Sequence, residues 1–187
     1  ETTLPLACQG YVLACIANPR PQKRLELLPA IVAAVARDLK KPVRLIIAGE
    51  TSERLADAIE SRAAVDREAA KHGIDLTWTE GKVPVREVLA QSHALISCSA
   101  HEGLSLAHLE ALSSGRPVIA CDTGGTRELA WRNPAINLVN AGASPSDFAT
   151  AVVEALLSPP PSAHKRVWRD FTTDRMAERV ARFAKQA

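Results

Sequence analysis

Aromatic side chains are scarce in this chain: three Phe, three Trp and one Tyr among 187 residues. Lys and Arg are scattered, and the formal net charge is only +2. A nucleic-acid surface built from basic and stacking residues is therefore not expected. The four cysteines, Cys8, Cys15, Cys98 and Cys121, form no Cys-x-x-Cys pair. Three of them sit in apolar runs, which reads as buried free thiols in a reducing compartment, and the spacing argues against a zinc site. No apolar run approaches the ~18 residues of a membrane helix. The chain starts at Glu1 with no signal-peptide pattern, as a piece cut from something longer would. No Gly-x-Gly-x-x-Gly follows the first apolar run, and there is no Gly-x-x-x-x-Gly-Lys-Ser/Thr or Gly-x-Ser-x-Gly. These absences argue against an NAD-dependent dehydrogenase, a P-loop nucleotidase and a serine hydrolase elbow.

What is present is an alternation. Hydrophobic residues make up 47% of the chain, enough for one ordinary folded domain. Six short apolar runs read as strands, at 11–17, 43–48, 74–79, 94–98, 118–121 and 135–139. Helical patterns separate them. The first carries Leu25, Leu28, Ile31, Val32, Val35 and Leu39 on one face. The second runs from Ser52 to His72, with Leu55, Ile59 and Val65 inward, Thr51-Ser52 suited to its start and Gly73 to its end. A short one covers 85–91, and Ser144 to Asp147 opens another through Leu157, with Leu156 and Leu157 inward. Pro159-Pro160-Pro161 breaks the pattern, and an amphipathic helical segment ends the chain within 162–187. Strands alternating with helices predict a Rossmann-like α/β domain with a parallel sheet of about six strands.

The most informative stretch is His101-Glu102-Gly103-Leu104-Ser105-Leu106-Ala107-His108-Leu109-Glu110. It joins the fourth strand to a helix patterned on Leu106, Leu109 and Leu112, which stops near Gly115-Arg116-Pro117. In an open parallel sheet, ligands bind outside the carboxyl ends of the strands. Gly103 admits a ligand close to the backbone, and the amides of Leu104 and Ser105 open a helix whose dipole favours a phosphate. Eight residues of helix rise about 12 Å, so Glu102 and Glu110 are too far apart to work one bond as an acid/base pair. They suit two distant parts of an elongated ligand; the plainer alternative is a helix-start carboxylate and a surface residue. Near the end of the first strand lie Arg20, Lys23 and Arg24, a cationic group able to neutralise a diphosphate or simply a solvated loop. Asp122-Thr123-Gly124-Gly125-Thr126 is either a backbone nest for an anion or sugar hydroxyl, or a helix entry capped by Thr126. His93, before the fourth strand, and His108, inside the helix, read as structural.

Ser99 to Leu106, with Leu109-Glu110-Ala111-Leu112, Gly115-Arg116-Pro117-Val118 and Gly124-Gly125-Thr126-Arg127-Glu128, resembles the C-terminal half of the GT-B glycosyltransferases, above all the large retaining group known as family four. The Glu-x7-Glu motif, the Gly-x-Pro-Val and the Gly-Gly-x-x-Glu loop occur in order. The resemblance implies a nucleotide-sugar-binding domain over 1–187, whose acceptor site lies in an N-terminal domain absent here. It implies a sugar donor linked to UDP or GDP, no metal, and a cytoplasmic enzyme, peripheral at the inner membrane face in its full-length form. By the same resemblance Glu110 holds the ribose hydroxyls and Glu102 the donor sugar, with His101 beside it. Lys23, Arg20 and the amides at Leu104 and Ser105 serve the diphosphate, with Gly103 letting the backbone approach the donor. Lys82 and Val83 lie against the base through backbone groups, and Gly124 and Gly125 form the nest. One departure stands out: Asn18 occupies the position where the family has an Arg. A GT-B epimerase acting on the donor, and a binding domain without chemistry, are the alternatives.

Overall fold

The computed structural model describes residues 10–158, 167 and 172–184. Six strands form one parallel sheet: β1 (Tyr11–Ile16), β2 (Val43–Ala48), β3 (Asp75–Trp78), β4 (Ala94–Ser97), β5 (Val118–Cys121) and β6 (Ile136–Val139). Their order is β3-β2-β1-β4-β5-β6, so the chain reverses direction across the sheet between β1 and β4. That reversal opens a crevice at the carboxyl edge, where such folds bind ligands. All six strands lie within a residue of where their apolar runs place them. Continuous runs are what a sheet covered on both faces requires.

The described residues hold seven α-helices: α1 (Leu28–Leu39), α2 (Ala56–His72), α3 (Val85–Gln91), α4 (Leu106–Ser113), α5 (Gly125–Arg132), α6 (Pro145–Leu157) and α7 (Thr173–Ala184). Alternate residues of β1 point to opposite faces. Leu13 and Cys15 join Leu45, Ile47 and Ile96 under α1 and α6, where Ile31, Val35, Phe148 and Val152 pack. Val12 and Ala14 join Ile46 and Leu95 under α3, α4 and α5, with Val88, Leu112 and Leu129. Each of these large aliphatic side chains contributes about 1.5–3 kcal/mol by leaving water. The result is a three-layer α/β domain.

Several local expectations are corrected. Leu25 does not lie in α1 but in the second of two short 3-10 turns, Pro21–Lys23 and Leu25–Leu27, that precede it. Helix α2 starts at Ala56, with Leu55 at its cap, so Thr51 and Ser52 do not cap it. Its inward face is Ala58, Ser61, Val65 and Ala69, while Leu55 and Ile59 are exposed. The small residues let α2 sit close to its neighbours, and that preference outweighs burying the larger side chains. Leu106 and Leu157 are likewise exposed, at the first and last turns of their helices. Helix α6 opens as expected, on a capping box between Ser144 and Asp147. The Pro159–Pro161 break and the stretch from Trp168 to Phe171 lie outside the described residues. Among the described residues, no helix is long and apolar enough to cross a membrane.

Candidate functional site

The 3-10 turn Pro21–Lys23 is tied to the exit of β4 on both sides of Lys23. The Ala100 amide donates to the Gln22 carbonyl at 2.8 Å. Arg24, held in a left-handed conformation at φ 47°, turns inward instead of toward a ligand. Its guanidinium donates to the carbonyls of Cys98 and Ala141, each at 2.7 Å, and to the Cys121 sulfur at 3.0 Å. Arg24 is therefore a structural clamp and not part of a cationic cluster, which corrects that expectation. Its planar fork suits three acceptors from separate elements.

Between these ties, the Lys23 ammonium meets the Glu102 carboxylate at 2.7 Å. Both side chains are largely shielded, at 23% and 14% exposure, so the contact is screened less than a surface ion pair. Lys23 also lines an open cleft of about 360 Å³ with Asn18, Arg20, Ser105 and Ala107. Ser105, the N-cap residue of α4, is buried. The first intrahelical bond runs from Leu109 N–H to the Ser105 carbonyl at 3.3 Å. The amides at Leu106, Ala107 and His108 precede it and have no helical acceptor. The free amides of the helix start thus lie slightly later than Leu104 and Ser105. His101, Gly103 and Leu104 are exposed on the loop before it.

The structure thus gathers Lys23, Glu102, Arg20 and Ser105 at one edge. Glu110 is exposed within α4, whereas Glu102 lies on the loop before that helix, so the expected eight residues of helix do not separate them, and neither carboxylate lines this cleft. Lys82 lies in a neighbouring cleft of about 720 Å³ at the ends of β2 and β3, lined also by Asn18, Glu50, Arg62 and Glu80. The two clefts share Asn18. The Asn18 side-chain oxygen accepts the Glu50 amide at 2.9 Å, so this residue pins the β2 exit loop. Val83 is buried in the core, leaving only its backbone for any ligand.

Gly124 and Gly125 press against the Glu102 loop. Gly124 has φ 48° and ψ −132°, and a Cβ on it would fall 1.8 Å from the Glu102 carbonyl oxygen. The Gly125 amide donates to that same carbonyl at 3.3 Å. This N–H is thus engaged in shaping the loop, so the glycine pair is first a packing device. Thr126 does not cap α5: Gly124 is the cap residue and Thr126 is fully buried. On the rim, Asp122 and Arg127 form a two-pronged pair at 2.7 and 2.8 Å, and the Arg127 hydrogen bond holds the Asp122 carboxyl below its ordinary range.

Three thiols lie beneath the site. Burial pushes Cys15 up to about 12 against the opposing pull of Lys23, and raises Cys98 and Cys121 too. All three are free and buried. His93 is structural as expected: its Nδ1 accepts the Val12 amide at 3.0 Å. His108 is also buried, and burial pushes its pKa down to about 4, so the ring is neutral at neutral pH. Helical spacing from Ser105 to Ala111 and Leu112 placed His108 on the inward face of α4, a signal visible in the sequence. Among the described residues, no cluster of His, Cys, Asp or Glu could hold a metal ion.

Comparison with known proteins agrees with this architecture. The chain superposes on sucrose-phosphate synthase from Thermosynechococcus elongatus with a TM-score of 0.82 at 19% identity, covering 97% of this chain and 46% of that one. It superposes on HepE from Anabaena, solved with UDP and glucose, with a TM-score of 0.81 at 16% identity, covering 95% and 49%. TarM from S. aureus, solved in complex with UDP among other ligands, gives 0.70 at 18% identity, covering 97% and 37%. The chain therefore spans about half or less of the length of these proteins. No curated protein sequence is significantly similar to it. The family profile for Glycosyl transferases group 1 matches residues 10–158, and the chain belongs to that family, with the fold of a GT-B C-terminal domain.

Proposed function

We propose that this chain is the donor-binding half of a retaining glycosyltransferase that takes a UDP- or GDP-linked sugar. The observation that carries the reading is the Lys23–Glu102 pair at 2.7 Å, whose lysine lines one cleft at the carboxyl edge of the sheet together with Arg20 and the start of α4. Lys23, Arg20 and the free amides of α4 present positive charge from three directions to a diphosphate. That field matters most as the glycosidic bond breaks and negative charge grows on the leaving phosphate. Preorganised cations and amides supply it without requiring a metal. Glu102 accepts hydrogen bonds from hydroxyls of the donor sugar, and Glu110, farther on within α4, from the ribose. Membership in the glycosyl transferase group and the UDP complexes of HepE and TarM support this assignment.

The acceptor site belongs, in this reading, to a further domain that joins this one across the crevice, and the 187-residue chain alone transfers little sugar. Asn18, engaged in pinning Glu50, leaves one fewer cation at the diphosphate than the family pattern provides, and this favours a second reading: a domain that binds a nucleotide sugar without transferring it. Calorimetric titration with UDP, GDP, ADP and NAD tests the proposal. Saturable binding of UDP or GDP, without NAD binding, is expected. Binding of NAD alone would sink it. Sugar transfer by the protein joined to its acceptor domain separates the two readings.

A further inference from the structure

His108 is 1% exposed, and among the described residues neither of its ring nitrogens meets a hydrogen-bond partner. A neutral imidazole carries one donor and one acceptor, and an apolar side chain would fill the same place with nothing left unpaired. The ring does not face a purely apolar wall. It lines a small cavity of about 10 Å³ together with Cys15, Lys23, Ser97, Ser99, Glu102 and Ser105. That is room for about one water molecule, and the walls offer the polar partners a buried water requires. Lys23 and Ser105 line both this cavity and the donor cleft, so one wall separates the two.

We propose that His108 is a positioning residue for the Lys23–Glu102 pair, acting through one buried water beneath the donor cleft. The inference rests on the donor-binding reading for its functional consequence, though not for its structural part. The imidazole N–H donates to the water oxygen, and the water donates to the Glu102 carboxylate. The carboxylate is then held from below by the water and from the side by the Lys23 ammonium. Its geometry is fixed before a ligand arrives, and the ordering of a loop carboxylate need not accompany binding. Of the groups around the ring, Cys15 on β1 and Cys98 just after β4 are neutral thiols, so Lys23 and Glu102 are the charges that face it.

The test uses the 187-residue chain, its His108→Leu variant and the conservative His108→Asn variant, each first shown folded by its thermal transition. Two readouts are taken. The first is ligand-free: the carbon-13 signal of the Glu102 carboxyl, with water-to-His108 cross-relaxation in the unsubstituted chain. The second is calorimetric affinity for UDP and GDP. A long-lived water signal at His108, a shifted Glu102 carboxyl in His108→Leu, and its return toward normal in His108→Asn are expected. Binding of UDP or GDP is expected to weaken about tenfold in His108→Leu and to recover largely in His108→Asn. An unmoved Glu102 carboxyl, absence of the water signal, or unchanged affinity in His108→Leu overturns the inference. If the unsubstituted chain binds neither nucleotide, the donor reading fails, and the carboxyl and water signals alone decide for or against His108.

Discussion

Replacing Gly124 with Ala adds one methyl group at the most crowded point beside the candidate site. The backbone there has φ 48° and ψ −132°, which an L side chain adopts only under strain. Left-handed backbone costs about 1–2 kcal/mol. The new Cβ would lie 1.8 Å from the Glu102 carbonyl oxygen, so that rigid backbone must recede by more than an ångström. Overpacking of this kind costs about 1–3 kcal/mol. The Gly125 amide would also lose its 3.3 Å bond to the same carbonyl, a further 0.5–1.5 kcal/mol or so. The sum is about 2.5–6.5 kcal/mol, or a fall in Tm on the order of 10 °C for a domain of this size. Thermal unfolding followed by circular dichroism measures it directly. Gly103→Ala is the control: its Cβ meets nothing within 4 Å and φ is not positive, so stability should change by less than about 0.5 kcal/mol. If the donor-site reading holds, the loop that carries Gly103 meets the ligand, and that control should still weaken nucleotide binding. A Gly124→Ala protein melting within about 2 °C of the parent would refute the reasoning, since the Glu102 loop would then not be braced by this glycine.

Arg24→Met should destabilise the fold by about 2–4 kcal/mol in urea unfolding, because the carbonyls of Cys98 and Ala141 lose a charged donor; Arg24→Lys should fall between, lacking the fork. Burial lowers the His108 pKa from 6.5 to about 4, so the unfolded chain takes up a proton there before the native state does. The contribution is complete above the unfolded pKa and is lost as pH falls from about 6.5 toward 4, at up to about 1.4 kcal/mol per pH unit. Urea unfolding at about pH 7, 5.5 and 4.5 should show a steeper loss in the parent than in His108→Leu; parallel losses would contradict it. Of the four cysteines, the three described are buried and raised in pKa, so a thiol reagent at mildly alkaline pH should label at most one site in the native protein and four after denaturation.

The sheet was legible because a parallel strand buried on both faces must be a continuous apolar run, and Leu13, Ile46, Leu95 and Ile119 lie in such runs. The pairing of Lys23 with Glu102 was partly legible: both were candidates, but their meeting depends on ties such as Ala100 to Gln22 that join distant segments. The clamp role of Arg24 is hidden in the sequence for the same reason. Its three acceptors lie between 74 and 117 residues away in the chain, and nothing local distinguishes a clamp from a ligand-binding cation. In α2, the large side chains Leu55 and Ile59 outweighed Ala58 and Ala69 in the sequence pattern, whereas close helix packing favoured the small ones. Thr126 satisfied the local rule for a helix cap, yet Gly124 took that place because the Glu102 loop leaves no room for a side chain there.

The most direct test of the donor-site account is amide shift mapping of the isotopically labelled chain with UDP and with GDP. The account predicts that the perturbed amides cluster at Gly103 to Ala107, with Lys23 and Arg20 beside them, and fade in Lys23→Met. Perturbations centred instead on the cleft between β6 and α6, around Asp147, Thr150 and Glu154, or unchanged in Lys23→Met, would contradict it.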